Sequence, residues 1–303
     1  MSTEILIKPR MQFWRITVCA IVVAYLALGG ATNSIRTYHW FMLLVIPLAA
    51  FSGERGRQFF VDWSPLFAFW LVYDRLRLIQ PFLYSRVAVA QPFEIERRVF
   101  GWISSGAVPA HAAHTWLASS TSALAVIVRW SAQAIYFSHL FFVPALICVL
   151  WLAGRRSEHS RELFKQFVRA FTILNFSAIA IYLLLPAAPP WWVTLNGMEQ
   201  PTIENVAQLN MTAAMNGALI QGMIRNASQW FAAVPSLHGA YPVMLLLLLR
   251  REVSGLVLIG VALYGVAMWC ATVVLNQHYV VDLIAGAALA TAAWWIERRF
   301  KKA

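Results

Sequence analysis

Residues 254–275 form the run SGLVLIGVALYGVAMWCATVVL, which contains no charged side chain. A membrane-spanning helix needs about 20 predominantly apolar residues, so this run predicts one transmembrane helix. It follows the basic pair Arg250-Arg251 and ends at the polar stretch Asn276-Gln277-His278. A second apolar run at 279–297 follows almost directly, and it predicts that the chain crosses the membrane again.

The composition of the whole chain supports the same interpretation. Of its 303 residues, 60% are hydrophobic and only 12% are charged, whereas a soluble domain carries about 25% charged residues. A soluble globular fold is therefore excluded. The net charge of +11 does not indicate nucleic acid, because the lysines and arginines lie in short segments between apolar runs. That placement is typical of membrane orientation, and no nucleic acid partner is expected.

We expect an all-α, polytopic membrane protein with about eight transmembrane helices and one helix in the membrane interface. The interfacial helix is predicted from the mixed charged and apolar residues of 94–100. Two long segments, 83–131 and 187–235, separate groups of apolar runs and are expected on the outer side. The predicted spans are 12–30, 38–53, 60–81, 132–154, 166–186, 237–251, 254–275 and 279–297.

The basic residues predict the orientation of these helices. An even number of spans places both termini on one side, and most lysines and arginines, including those of 155–169 and 298–302, fall on that side. Cytoplasmic loops carry an excess of lysine and arginine. Both termini are therefore expected in the cytoplasm, and the two long segments at the extracytoplasmic (periplasmic or lumenal) face.

Two short stretches carry the candidate catalytic residues. PSLH (residues 235–238) lies at the start of the sixth predicted span, and HYVVD (residues 278–282) at the start of the eighth. Ionisable groups at membrane depth are costly and usually mark function. Because spans six and seven leave one membrane face and return to it, His238 and His278 are expected close together. His278 and Asp282 are four residues apart and share one helix face.

These residue types fit chemistry at phosphorus. An imidazole attacks phosphorus as a nucleophile when a carboxylate fixes its tautomer, and His278 with Asp282 provides that pair. A second imidazole, His238, can donate a proton to the leaving oxygen. A purely structural polar pair is the alternative for His278 and Asp282. His139 is open between an interface anchor and a member of the site.

The phosphate itself needs donors. Ser236 precedes a predicted helix, so it offers a hydroxyl beside backbone N–H groups at a positive helix end. Arg75 and Arg77, at the end of the third predicted span, could supply positive charge. Both arginines could equally be interface anchors whose stems lie along apolar surface.

Other functions fit the same residues less well. A transporter could use the His–Asp pair as a proton relay, but several spans have almost no polar side chains at mid-depth. A zinc hydrolase could use His238, His278 and Asp282 as ligands, although no further Cys or His clearly belongs with them. The three cysteines lie within apolar runs and indicate neither disulfides nor a metal cluster.

The order PSxH followed by HxxxD resembles two signatures of the type 2 phosphatidic acid phosphatase superfamily. The form found here is most similar to its inositol phosphorylceramide synthase branch. The stretches 62–77, 100–109, 136–139 and 185–191 agree with that resemblance, which covers about 60–297. It implies a six-helix bundle within a catalytic membrane domain at 59–303. The two predicted helices of 1–58 would be additions to it.

The resemblance also implies roles. His278 would become a phosphohistidine, Asp282 would orient it, and His238 would protonate the leaving group, without metal or other cofactor. The substrate would be a membrane phospholipid or lipid phosphate, bound at the extracytoplasmic face. A lipid alcohol resolves the phosphohistidine in the synthases, whereas water resolves it in the phosphatases.

Two departures from the phosphatases bear on that choice. The signature KxxxxxxRP is absent because no Arg-Pro pair occurs, and Thr272 stands where an arginine is usual six residues before His278. Both remove charge that binds a phosphate monoester. We therefore expect a lipid phosphotransferase that moves a phosphorylated headgroup between lipids. The alternative is a phosphohydrolase for a lipid phosphate or polyprenyl diphosphate with the same three residues.

Overall fold

The computed structural model describes residues 9–32, 53–209 and 229–300, with single positions between 34 and 48. Within these ranges the chain is helical and contains no β-strand, only two isolated bridges. The α-helices are α1 (Pro9–Ala31), α2 (Gly53–Arg75), α3 (Gln80–Leu83), α4 (Ala90–Phe100), α5 (Pro109–Ser119), α6 (Ala123–Gly154), α7 (Glu158–Leu184), α8 (Pro190–Asn196), α9 (Ile203–Ala207), α10 (Leu237–Leu249), α11 (Gly255–Val274) and α12 (Val280–Phe300).

Five of the helices described are long and apolar enough to cross a membrane, namely α1, α6, α7, α11 and α12. They confirm the all-α membrane fold and match the predicted spans at 12–30, 132–154, 166–186, 254–275 and 279–297. The sixth predicted span is the shorter apolar helix α10. The span predicted at 38–53 lies outside the continuously described residues.

Three elements differ from the sequence prediction. The span predicted at 60–81 is instead α2, which ends at Arg75. Short 3-10 turns and α3 follow, because Pro81 lacks the N–H that a continuing helix would need. Helix α6 begins well before residue 132 and includes Arg129. The guanidinium of Arg129 donates to the Leu117 carbonyl of α5 at 2.6 Å. This charged residue therefore has a hydrogen-bond partner although it lies within α6.

The chain divides into two compact units, Met1–Ala68 and Phe69–Ala303. All of the candidate catalytic and phosphate-binding residues belong to the second unit. There, α10 packs against α11 and α12, while α7 packs against α6 and α12. This arrangement places the starts of α10 and α12 side by side.

Two glycines allow α10 and α12 to approach backbone to backbone. A Cβ added at Gly286 would lie 2.0 Å from the Ser236 carbonyl oxygen, and one at Gly239 would lie 2.6 Å from the Leu283 carbonyl oxygen. No side chain fits at either contact. The close approach sets the distance between the two predicted catalytic motifs.

An aromatic cluster covers this end of the unit. Trp191 and Trp192 are buried and pack with Tyr84, Tyr136 and Phe231. Both tryptophans are core residues, and the indole N–H of Trp192 donates to the Glu199 carbonyl at 2.9 Å.

Candidate active site

A tight turn between α11 and α12 presents His278. Asn276 adopts a left-handed conformation with φ of 62°, which asparagine tolerates better than most residues. The backbone N–H of Gln277 then donates to the Thr272 carbonyl at 2.9 Å. Thr272 stands where the resemblance would place an arginine. It is fully buried, and its carbonyl supports the turn by accepting the Gln277 N–H.

Asp282 fixes the orientation of His278. The Asp282 side chain is fully buried, and its Oδ2 accepts the His278 Nδ1–H at 3.4 Å and the Tyr279 backbone N–H at 2.9 Å. The His278 contact is longer than the usual range of about 2.7–3.2 Å. With Nδ1 carrying the proton, Nε2 of His278 keeps its lone pair.

His238 meets that lone pair. Its Nδ1 lies 3.1 Å from Nε2 of His278, so His238 donates and His278 accepts. The structure therefore brings together the three residues predicted from two motifs 40 positions apart. The assignment starts at Asp282, whose carboxylate accepts from His278 Nδ1, and it leaves His278 Nε2 as the acceptor for His238.

Ser236 begins α10 and is fully buried. Its hydroxyl oxygen accepts the Gly239 backbone N–H at 3.3 Å, and its own N–H donates to the Asp282 backbone carbonyl at 2.9 Å. Ser236 thus joins α10 to α12. The next two backbone N–H groups, of Leu237 and His238, have no partner among the described residues.

Arg75 and Arg77 lie beside Asp74. Arg77 forms an ion pair with it at 3.0 Å, and Nε of Arg75 lies 3.7 Å from the same carboxylate oxygen. Neither arginine is among the residues that line the cavity at His278. Their role in phosphate binding stays a prediction.

A cavity of about 310 Å³ opens over His238 and His278. That volume lies at the lower end of the range for small-molecule sites. Among the described residues, its lining contains no lysine or arginine and is mainly aromatic. The lining consists of Phe69, Tyr73, Tyr136, His139, Leu140, Tyr182, Pro189, Trp191, Gln229, Trp230, Ala232, Ala233, Leu237, His238, Tyr241, Gln277 and His278.

Two lining residues hold the ring of His238. Tyr136 stacks on it with ring centroids 4.7 Å apart, and His139 meets it edge to face at 4.5 Å. Nδ1 of His139 is hydrogen-bonded to the Tyr136 backbone carbonyl. His139, left open by the sequence, therefore belongs to the site. Its signal was its position one helical turn after Tyr136.

Sequence reasoning missed Glu96 altogether. It was included only in the predicted interfacial helix, yet its side chain is fully buried and its carboxylate accepts backbone N–H groups at the start of α12. Nothing in the local sequence distinguishes it from its partly exposed neighbour Glu94. No group of three or more His, Cys, Asp or Glu side chains is arranged to hold a metal ion within the described ranges.

Apolar helices, buried His278 and Asp282, and half-buried His238 beside an aromatic cavity define an integral membrane protein with a candidate catalytic site. The sequence model of the PAP2 superfamily matches residues 104–296, and the chain belongs to that superfamily. The match includes both catalytic motifs. It confirms the resemblance derived from those motifs.

Curated relatives narrow the comparison. The chain is 28% identical to the phosphoinositol dihydroceramide synthase of Bacteroides thetaiotaomicron, over 92% of this chain and 90% of that protein. It is 29% identical to the inositol phosphorylceramide synthase of Candida albicans, over 57% of this chain but only 36% of that protein. It is 27% identical to the inositol phosphorylceramide synthase catalytic subunit of Saccharomyces cerevisiae, over 57% of this chain and 42% of the relative. No solved structure matches significantly. These relatives are named as synthases of lipids, so the comparison supports an enzyme rather than a transporter.

Proposed function

We propose that this protein transfers a phosphorylated polyol headgroup, of the phosphoinositol type, from a membrane phospholipid to a ceramide-like lipid alcohol. The observation that carries the proposal is the chain of contacts from Asp282 through His278 to His238, at 3.4 and 3.1 Å, facing the cavity. The names of the relatives supply the headgroup and the acceptor class.

In the first step, Nε2 of His278 attacks the phosphorus of the donor lipid. The N–P bond forms and the bond from phosphorus to the lipid oxygen breaks. His238, which enters this step protonated on both ring nitrogens, gives its Nδ1 proton to that oxygen and becomes a neutral imidazole. Asp282 stabilises the cationic, phosphorylated imidazole through Nδ1–H. Because Nδ1 of His238 and Nε2 of His278 are only 3.1 Å apart, the two rings must separate to admit the phosphorus.

In the second step, the acceptor hydroxyl replaces the histidine. His238, now a neutral imidazole with a lone pair at Nδ1, takes the hydroxyl proton and becomes cationic again. The acceptor oxygen attacks phosphorus, and the N–P bond breaks to release neutral His278. One imidazole must therefore act as acid and then as base. We expect a bell-shaped dependence of activity on pH.

The start of α10 is the proposed phosphate-binding element. The backbone N–H groups of Leu237 and His238 lie at the positive end of that helix, and both residues line the cavity. Ser236 holds this helix start in place by accepting the Gly239 N–H, and its hydroxyl hydrogen is proposed to donate to a phosphate oxygen. Arg75 and Arg77 are proposed to add positive charge from beside Asp74.

The character of the cavity favours a phosphodiester over a phosphate monoester. A diester carries one negative charge and a monoester nearly two, and the described lining offers no cationic side chain to neutralise the second. Tyrosine hydroxyls and aromatic faces suit a polyol instead. We further propose eight membrane spans, cytoplasmic termini and an active site at the extracytoplasmic face.

Product analysis tests this function. Purified protein in detergent would receive a phosphoinositol lipid with labelled phosphate, with EDTA present, and with or without ceramide. We expect the label to move to ceramide. Release of the headgroup phosphate to water alone, whether or not ceramide is present, would contradict transfer and favour a hydrolase. Loss of activity on chelation would favour a metal-dependent mechanism.

A further inference from the structure

Glu96 makes an unusual contact for a charged residue. Helix α4 carries it to the start of α12, where Oε1 accepts the Val280 N–H and Oε2 accepts the Val281 N–H, each at 3.0 Å. The residue has no accessible surface. The two partners lie 184 and 185 positions away in the chain.

These bonds complete the first turn of α12. The first N–H groups of any helix lack partners within the helix. Here Tyr279 donates to the side chain of Asp282, while Val280 and Val281 donate to Glu96. Both carboxylates lie at the positive end of the helix, where negative charge is favoured.

A buried carboxylate without a cation is costly, and none of the described cationic side chains forms an ion pair with Glu96. The nearest arginine in its own helix, Arg97, pairs with Glu94 instead. Burial raises the pKa of the Glu96 carboxyl, and the hydrogen bonds from Val280 and Val281 oppose that shift. An apolar residue with a solvated helix start would avoid this cost.

We propose that Glu96 is a positioning residue for catalysis, because it holds the first turn of α12 so that His278 and Asp282 face His238. The proposal rests on the function proposed above. Glu96 lines no part of the cavity among the described residues, so it acts through the backbone of α12. Its two-point attachment resists both rotation and translation of that turn. A displacement of about 1 Å in a catalytic group can lower a rate about 100-fold.

The chain provides a matched control. Glu94 lies two positions earlier in α4, is partly exposed, and pairs with Arg97 at 2.7 Å. Glu96→Gln leaves one acceptor oxygen for two N–H groups and turns an amide donor toward the other. Glu94→Gln makes the same chemical change without touching α12.

The test compares these two variants by kcat, KM and hydrogen exchange of the Val280 and Val281 amides. For Glu96→Gln we expect kcat to fall about 10- to 100-fold, KM to change less than about threefold, and the two amides to exchange faster. Glu94→Gln should match the wild type in all three measurements. If Glu96→Gln does not fold, Glu96→Asp takes its place with the same expectations, since its shorter side chain cannot reach both N–H groups.

Two results would overturn the proposal. One is a kcat of folded Glu96→Gln equal to that of Glu94→Gln, even with lowered thermal stability, since that would show a purely structural role. The other is unchanged exchange of the Val280 and Val281 amides. Failure of the proposed function is distinguishable because the wild type itself would form no transfer product, while the exchange measurement would still test whether Glu96 holds α12.

Discussion

The starts of α10 and α12 lie side by side but differ in what accepts their first backbone N–H groups. Helix α10 begins with its own capping residue, Ser236, and leaves the N–H groups of Leu237 and His238 without described partners beside the cavity. At the start of α12, by contrast, the carboxylates of Asp282 and Glu96 accept three backbone N–H groups.

This difference suggests that the start of α10 binds the substrate phosphate, while the start of α12 positions His278. A helix start attracts an anion, and that anion can come from a ligand or from the protein itself. At α10 none of the described residues supplies an anion to the N–H groups of Leu237 and His238, which suits a substrate phosphate. At α12 it supplies the anions, and the helix start becomes a fixed support for His278.

The largest effect on activity is expected when the proposed nucleophile, His278 at the start of α12, is removed. His278→Asn should lower transfer at least about 1,000-fold, because it removes the imidazole proposed to form the N–P bond. His159→Asn is the matched control. The His159 side chain, near the start of α7, is 75% exposed and pairs with Glu252. The rate of label transfer to ceramide measures both. Comparable rates in the two variants would mean that His278 is not the nucleophile.

A second large effect is expected where the two helices touch. Gly286→Ala places a Cβ 2.0 Å from the Ser236 carbonyl oxygen, so α10 and α12 must separate and the contact between His238 and His278 is lost. We expect a loss of activity of at least about tenfold and a loss of stability of about 1–3 kcal/mol. Activity and thermal unfolding would be measured together.

Gly260→Ala is the control for that change, because nothing lies within 4 Å of a Cβ added there. It should leave activity and unfolding temperature near the wild-type values. If Gly286→Ala behaved in the same way, the close approach of the two helix starts would not determine the catalytic geometry.

A smaller effect is expected at the cap of α10. Ser236→Ala removes the acceptor for the Gly239 N–H and should cost about 1 kcal/mol of stability. Ser254→Ala is matched, since Ser254 also precedes a helix but makes no side-chain capping bond. A raised KM for the donor lipid in Ser236→Ala alone would support a direct phosphate contact, whereas equal unfolding temperatures of the two variants would contradict the capping role.

The smallest effect is expected at His111, which touches neither helix start. Its Nε2–H donates to the Pro190 carbonyl at 3.0 Å, and burial lowers the pKa of His111 below its ordinary value of 6.5. The unfolded chain therefore takes up a proton first, so stability falls as the pH drops through about 6.5 toward the folded-state pKa. His111→Gln should reduce the difference in unfolding temperature between pH 7.5 and 5.5. An unchanged difference would contradict this assignment.

The sequence predicts those parts of the molecule that depend on local pattern. Apolar runs predict the membrane-length helices, and the spacing of His278 and Asp282 predicts their shared face. The juxtaposition with His238 follows from two helices that leave and return to one face. Each of these inferences needs only periodicity and the order of the spans.

The remaining features depend on contacts between distant segments. Glu96 and Glu94 are indistinguishable by local pattern, and only the fold brings one of them to α12. Arg129 lies before the predicted span 132–154 but inside α6, and its partner, the Leu117 carbonyl, could not be inferred from the sequence. Trp191 and Trp192 resemble interface residues by composition, yet the segment that carries them folds over the site. Pairwise contacts of this kind leave no signal in a single sequence.

The most direct test of the mechanism is to trap the covalent intermediate. Wild-type protein and His278→Asn would be mixed with a phosphoinositol lipid labelled at phosphorus, without acceptor and with EDTA, and then quenched under alkaline conditions. We predict acid-labile label on the wild type, none on the variant, and transfer of the label to product when ceramide is added before quenching. Equal labelling of His278→Asn, or product formation by that variant at the wild-type rate, would contradict the phosphohistidine at His278.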